Sequence, residues 1–254
     1  MRKRQKMVVS TLLTSVGLVV VQVMPLEWKY VGIAVVTVLT WVLSTWSLKE
    51  GLGGVEWLMI PQPMALFTAS MGLFYMLLPE GFWARAGIVV MYLVGQYALL
   101  LTGNIFSVAS IRTIALFRAA LAVGFVMTIV TAFLLYDTIL SFRLYPWMNG
   151  ILVMAVSFLL ILPGLWSVKL DGTVTRMVIR YSLWLALMLG VLAVAISFWP
   201  VGITVASIFL CTMLYVFLGI SQHHFSDRLF SKTVWEYVIV GSVVLLTMLV
   251  TAGL

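Results

Sequence analysis

Residues 147–168 read WMNGILVMAVSFLLILPGLWSV and contain no charged side chain. The apolar run is continuous and does not alternate with a period of two, as the strands of an outer-membrane barrel would. A helix of about 20 apolar residues crosses the hydrocarbon core of a bilayer, which is about 30 Å thick. This stretch therefore predicts a membrane-spanning α-helix.

Similar stretches occur along the whole chain and predict an all-α, polytopic membrane helix bundle of about nine spans. The predicted spans are residues 7–24, 30–47, 55–78, 83–101, 118–136, 147–168, 177–198, 203–220 and 233–253. The composition agrees, because 63% of the 254 residues are hydrophobic and 9% are charged, whereas soluble domains are about 25% charged. A soluble enzyme, a nucleic-acid-binding protein and a disordered linker are excluded.

The distribution of lysine and arginine predicts the orientation of the spans. If the N-terminus is cytoplasmic, the cytoplasmic segments hold Arg2, Lys3, Arg4, Lys6, Lys49, Arg112, Arg118, Lys169, Arg176, Arg180, Arg228 and Lys232. The opposite side holds Lys29, Arg85 and Arg143. This bias predicts a multi-pass protein of the cytoplasmic (inner) membrane with an external C-terminus. The basic side faces the anionic headgroups of the bilayer, and we expect no nucleic-acid partner.

Two single features limit the alternatives. The basic N-terminus and the apolar run after it lack a small-residue cleavage site before Pro25, so we expect a retained first span rather than a signal peptide. The single cysteine, Cys211, excludes an internal disulfide and a cysteine-based metal cluster. We expect no cofactor.

An internal repeat is predicted from landmarks that recur at an offset of 120 residues. Residues 46–51 (WSLKEG) resemble residues 166–172 (WSVKLDG), and each stretch ends an apolar span. The chain is then one membrane-embedded domain with a leading helix (1–29) and two parallel four-helix units (30–140 and 144–254), related by an axis along the membrane normal. The alternative is two unrelated sets of helical hairpins.

The repeat makes Glu56 and Arg176 equivalent positions of opposite charge. We consider two interpretations: a pair across the symmetry axis, or two independent side chains that reach the interface. Arg180 lies one turn beyond Arg176 and also reaches the interface. We expect no Asp, Glu or His in the middle of a span, and this argues against a pump that uses an intramembrane carboxylate.

Three neutral polar side chains are candidate cavity or helix-contact positions: Gln62, Gln96 and Asn149. Gln62 lies between Pro61 and Pro63, where two backbone donors are missing. Either the third span is broken there, as in transporter sites, or its helix starts at the second proline. Gln96 and Asn149 are more typical of hydrogen bonds between neighbouring helices.

The predicted cytoplasmic loop after the eighth span contains His223, His224 and Asp227. His224 and Asp227 are three residues apart, but a metal site needs three or four ligands. Adjacent histidines point in different directions on a helix. We treat all three residues as weak metal candidates and assign no metal site and no catalytic residue.

The loop that starts at Gly103-Asn104, together with Arg112 and Arg118, resembles segments of an uncharacterised family of bacterial multi-spanning membrane proteins. The resemblance extends over residues 104–149. It implies a bacterial integral membrane protein and no particular chemistry.

These observations leave three functions open. The first is a non-catalytic scaffold or subunit of a membrane assembly, in a homo-oligomer or with a membrane-protein partner. The second is a small transporter or lipid-handling protein with a cavity between the two repeats, lined by Gln62 and Gln96. The third is an enzyme at the inner leaflet, and we rank it last because the sequence offers no evident catalytic group.

Overall fold

Continuous apolar stretches form helices throughout the part of the chain that the structure describes. The computed structural model describes residues 3–78, 81–109 and 116–252, and within these ranges there is no strand. In hydrocarbon, each backbone N–H without a partner is costly, and a helix satisfies its own backbone groups. An apolar run of this length therefore folds as a helix.

The helices are numbered in chain order, and a short 3₁₀ turn (Lys49–Gly51) follows the second. They are α1 (Lys3–Val23), α2 (Leu26–Leu48), α3 (Glu56–Met59), α4 (Pro61–Tyr75), α5 (Phe82–Ala109), α6 (Phe117–Ser141), α7 (Pro146–Lys169), α8 (Arg176–Ser197), α9 (Ile203–Phe225) and α10 (Ser231–Thr251).

Eight of the described helices are long and apolar enough to cross a membrane. They indicate a multi-pass membrane protein, while the inner membrane and the orientation of the termini stay predictions. The third predicted span, residues 55–78, is the exception. It is divided into α3 and α4, and α4 has 15 residues, which at 1.5 Å per residue is about 22 Å.

Proline explains where α4 begins. Pro61 is the first residue of the helix, a position whose N–H would have no intrahelical partner in any case. The structure thus places the helix start at the Pro-Gln-Pro motif, two residues before Pro63. Residues 52–60 form the approach to α4, and Met59 and Ile60 within it are buried.

Helix α5 is longer than predicted, whereas α4 is shorter than the predicted third span. We expected the span to end at Leu101 and a loop to follow, but the helix continues to Ala109. The helix does not end at Gly103 or Asn104, because this turn of α5 packs closely against other residues of unit 1. A Cβ added at Gly103 would lie against Met64 and Ile60. Arg112, which we placed in the same loop, lies outside the described residues.

The chain divides into two compact units, Met1–Thr131 and Ala132–Leu254, and the division falls inside α6. In unit 1, α2 packs on α1, α4 and α5. Lys6 of α1 also forms a 2.6 Å ion pair with Glu50, just after α2. In unit 2, α7 packs on α8 and α9, and α10 packs on α9.

The predicted repeat pairs α2 with α7, α4 with α8, and α5 with α9. In such a repeat, equivalent helices have equivalent neighbours. Helix α2 contacts α4 and α5, and its equivalent α7 contacts α8 and α9. The repeat and the predicted unit boundaries at 140 and 144 stay predictions, and a superposition of the two helix sets is their test.

Candidate functional site

Four buried hydroxyl groups meet in the middle of unit 1, one from each of four helices. They belong to Thr14 of α1, Thr40 of α2, Thr68 of α4 and Tyr92 of α5, and each side chain is at most 1% exposed. Thr68 Oγ1 lies 3.1 Å from Thr40 Oγ1 and 2.9 Å from the Tyr92 hydroxyl, and Thr14 also hydrogen-bonds Tyr92. This hydroxyl cluster joins the four helices, since interhelical hydrogen bonds add to packing in a membrane.

Small polar residues spaced one turn apart create this arrangement. The buried face of α1 carries Ser10, Thr11, Thr14 and Ser15, and their hydroxyls donate to carbonyl groups three or four residues earlier. Such side chains are small enough for neighbouring helices to approach closely. The hydroxyl cluster was not predicted from the sequence, although the spacing of Ser10 and Thr14 places two small polar residues on one face of α1.

Gln62 and Gln96 are both buried in unit 1, at 5% and 1% exposure. Gln62 lies in the first turn of α4, and Gln96 follows Tyr92 by one turn of α5. Within the described residues, the Gln96 Oε1 atom is buried and has no hydrogen-bond partner. Gln96 therefore carries an unused acceptor one turn from the hydroxyl cluster.

An apolar groove of about 620 Å³ lies elsewhere in unit 1. It is lined by residues of α4, α5 and the first part of α6, among them Phe67, Val94, Gly95 and Met127. Neither of the two glutamines above lines it. Its size falls within the usual range for ligand pockets, and its lining suits an acyl chain.

Glu56 has a local role at the approach to α4. It is 6% exposed, and its Oε2 accepts a hydrogen bond of 2.9 Å from the Gly53 backbone N–H. The carboxylate thereby closes the turn in front of α3. Arg176 belongs to unit 2, where it and Arg180 are exposed, and the predicted pairing of Glu56 with Arg176 stays a prediction.

Unit 2 contains a buried carboxylate that the sequence analysis did not place inside a span. We ended the fifth span at Tyr136, but α6 continues to Ser141, so Asp137 is part of the helix. Asp137 is 8% exposed. Asp137 lies near the end of α6 and not at its centre, so the expectation of no carboxylate in the middle of a span stays a prediction.

Contacts one turn apart hold α6 against α9 around this carboxylate. Cys211 of α9 is hydrogen-bonded to the backbone of Phe133 in α6, and Ser207 hydrogen-bonds Asp137. Tyr136 points to α7, where its hydroxyl lies 2.7 Å from Ser157 Oγ. The polar contacts therefore fix α6 between α7 and α9 within unit 2.

Asn149 joins α7 to α8 at the same end of unit 2. Its Nδ2 donates to Ser197 Oγ at 3.2 Å and to the Leu144 carbonyl at 3.4 Å. Asn149 therefore contacts the neighbouring helix α8 through its amide nitrogen. Its Oδ1 is buried and, like one oxygen of Asp137, has no partner among the residues that the structure describes.

Aromatic and basic side chains gather at the opposite end of unit 2. Tyr181 stacks on His224 with centroids 6.0 Å apart and meets Phe225 edge-on at 5.3 Å. Lys169 Nζ lies 6.0 Å from the centre of the Phe225 ring. The stacking gives His224 a packing role at this end of the unit.

The other two weak metal candidates are His223, which has an aromatic contact, and Asp227, which lies in a turn. His223 lies 6.0 Å from the Tyr237 ring. Asp227 is exposed and adopts a left-handed conformation with φ of 55° in the turn after α9. Across the described ranges, no three His, Cys, Asp or Glu side chains come together as a metal site would require.

Comparison with known proteins identifies a family. The family described as "Protein of unknown function (DUF5656)" matches residues 62–251, about three quarters of the chain, and the chain therefore belongs to it. The matched part runs from Gln62 to the last residue of α10 and includes Asp137 and Asn149. No curated protein and no solved structure matches the chain. The bacterial origin implied by the resemblance stays a prediction.

Proposed function

We propose that this member of the DUF5656 family is a non-catalytic subunit of a membrane assembly, and that α10 binds the partner. The observation that supports this is the exposure of α10. Only 11% of an 18-residue apolar stretch of α10 is buried, against 33–50% for the corresponding stretches of the other seven spans. Within unit 2 its main neighbour is α9, so most of its surface is free for another helix.

The exposed face of α10 has the spacing of a helix-packing seam. Ile239, Val243, Leu246 and Val250 are each more than half exposed. Their intervals of four, three and four residues follow a heptad repeat. Three of the four residues are β-branched, and the fourth is leucine. We call these four residues the α10 seam.

A second copy of this chain is the partner that the α10 seam fits. The seam carries no charge that would select an unlike helix, and an aliphatic seam is complementary to itself. Two-fold association through one shared patch is also the commonest arrangement of homo-oligomers. The proposal gives the chain a structural role and assigns no catalytic residue.

Cysteine cross-linking in native membranes tests this proposal. Val243→Cys places a thiol on the α10 seam, while Val191→Cys places one on α8 at a similar exposure (55% and 60%). The native thiol, Cys211, is buried. We expect a covalent dimer on oxidation of the Val243→Cys variant and monomer for the Val191→Cys variant. Monomer for both variants, together with a monomeric mass in mild detergent, would overturn the proposal.

A lipid-handling function is the second candidate, and the 620 Å³ groove of unit 1 favours it. Gly95 forms part of the groove, and a Cβ there would meet Phe67 and Met127. Gly95→Leu should therefore fill the groove. The control is Gly202→Leu, because Gly202 does not line the groove and a Cβ there meets no atom within 4 Å. Loss of co-purified lipid in the first variant alone, measured by mass spectrometry, would support this candidate.

A further inference from the structure

The Asp137 carboxylate is buried without a compensating positive charge. Its Oδ1 has no hydrogen-bond partner among the described residues. The ion pair among these residues joins Lys6 to Glu50 in unit 1 and does not involve Asp137. The nearest cation along the chain, Arg143, is exposed in the turn after α6. A carboxylate inside a membrane span is unfavourable unless it is neutralised, and such residues commonly mark ion pathways.

The titratable groups packed around Asp137 supply no such charge. On α6, the Tyr136 hydroxyl is occupied by Ser157. On α9, Cys211 is hydrogen-bonded to the Phe133 backbone. Neither group carries a positive charge in any protonation state. An ionised Asp137 therefore needs a bound cation, and an Asp137 without one needs a proton, to be neutral.

A second unsatisfied acceptor lies at the same level of the unit. Asp137 is four residues before the end of α6, and Asn149 is three residues after the start of α7. Residues 142–145 connect these helices, so both positions lie about one turn from the same end of the unit. Asn149 Oδ1 is also buried without a partner. Ser207 lies one turn inside α9, beside Asp137.

We propose that this end of unit 2 binds a monovalent metal cation of the size of Na⁺, with Asp137, Asn149 and Ser207 as oxygen ligands. Carboxylate, amide carbonyl and hydroxyl oxygens are hard ligands that suit such an ion. One carboxylate balances one positive charge, whereas a divalent ion would leave an excess charge in a medium of low dielectric. A cation bound by both residues would give each of the two unused oxygens a partner.

Thermal unfolding of the purified full-length protein tests the site, because an ion that binds only the folded state raises Tm. NaCl replaces N-methylglucamine chloride at constant ionic strength and pH. We expect Tm to rise with NaCl and to saturate in the wild type. Asp137→Asn should lose this response and should be more stable than the wild type without Na⁺. Glu236→Gln removes an exposed carboxylate of the same unit and should keep the response.

Ser207→Ala keeps the test valid if Asp137→Asn does not fold. It leaves the carboxylate in place and removes one ligand, so we expect the NaCl midpoint to rise about tenfold. A wild-type Tm that does not change between NaCl and N-methylglucamine chloride would overturn the proposal. A Tm that responds to pH but not to Na⁺ would assign a proton to Asp137 and would also overturn it.

Discussion

Gly150 of α7 and Gly190 of α8 face each other so closely that neither position has room for a side chain. A Cβ added to Gly190 would lie 2.8 Å from the Gly150 carbonyl oxygen and 2.9 Å from Met154 Cβ. In a membrane, helices associate through packing, and small residues allow this close approach. The two glycines therefore set the distance between α7 and α8.

Gly190→Ala should destabilise the protein by about 1–3 kcal/mol, because the contact is with backbone and the helices must move apart. Chemical unfolding in detergent, followed by tryptophan fluorescence, measures this change. Gly87→Ala is the control, since a Cβ there meets no atom within 4 Å and alanine favours a helix by about 1 kcal/mol over glycine. Equal effects of the two variants would contradict the close contact.

Thr68→Val and Tyr92→Phe should each destabilise unit 1 by about 1 kcal/mol, because each removes a hydroxyl from the cluster. Their effects should not add, since the two groups hydrogen-bond each other at 2.9 Å. A double-mutant cycle should give a coupling of about 0.6–1.7 kcal/mol. The control is Thr247→Val on the exposed face of α10, where the hydroxyl donates only to its own helix. Additive effects at Thr68 and Tyr92 would argue against the hydrogen bond.

Arg143→Gly should stabilise the protein by up to about 1 kcal/mol. Arg143 has a φ of 49°, and left-handed backbone is unfavourable for most side chains but not for glycine. Its side chain is exposed, so little packing is lost. Asp227→Gly should gain less, because aspartate tolerates this conformation better than arginine does. Thermal unfolding compares the two, and a larger gain at Asp227 would contradict this reasoning.

Cys211 should react slowly with a maleimide in the folded protein. The thiol is buried and is hydrogen-bonded to the backbone of α6. Labelling should become complete when the protein is unfolded in sodium dodecyl sulfate, as measured by mass spectrometry. Ser226→Cys is the positive control, because residue 226 is exposed after α9. Rapid labelling of Cys211 in the native protein would show that α6 does not cover it.

The long helices could be predicted from the sequence because each apolar run is continuous, and a helix alone satisfies its own backbone in hydrocarbon. Helix ends were predicted less well. Continuation of α5 depends on contacts of Gly103 with another helix, which no local pattern reveals. The end of α6 was predicted five residues too early, since the helix continues past Asp137 to Ser141.

Single polar residues could be selected from the sequence, but not which polar residues lie together in the fold. Asn149 was singled out because an amide is conspicuous in an apolar run. The hydroxyl cluster was not recognised, since threonine is common in membrane helices and the four members are far apart in sequence. Which threonines meet depends on how α1, α2, α4 and α5 pack, and single-helix periodicity does not contain that information.

Helices α4 and α5 pack against each other although they have 15 and 28 residues, a difference of about 20 Å in length. No residue of α4 is exposed, so neighbouring helices and not lipid surround the shorter member of the pair. Helix α5 has exposed residues such as Val94, and its length of about 42 Å exceeds the hydrocarbon core of about 30 Å. A helix longer than the core is accommodated by tilting or by local thickening of the bilayer. Acyl-chain length thus becomes a variable that acts on unit 1, and membranes of different lipid composition should favour different tilts of α5.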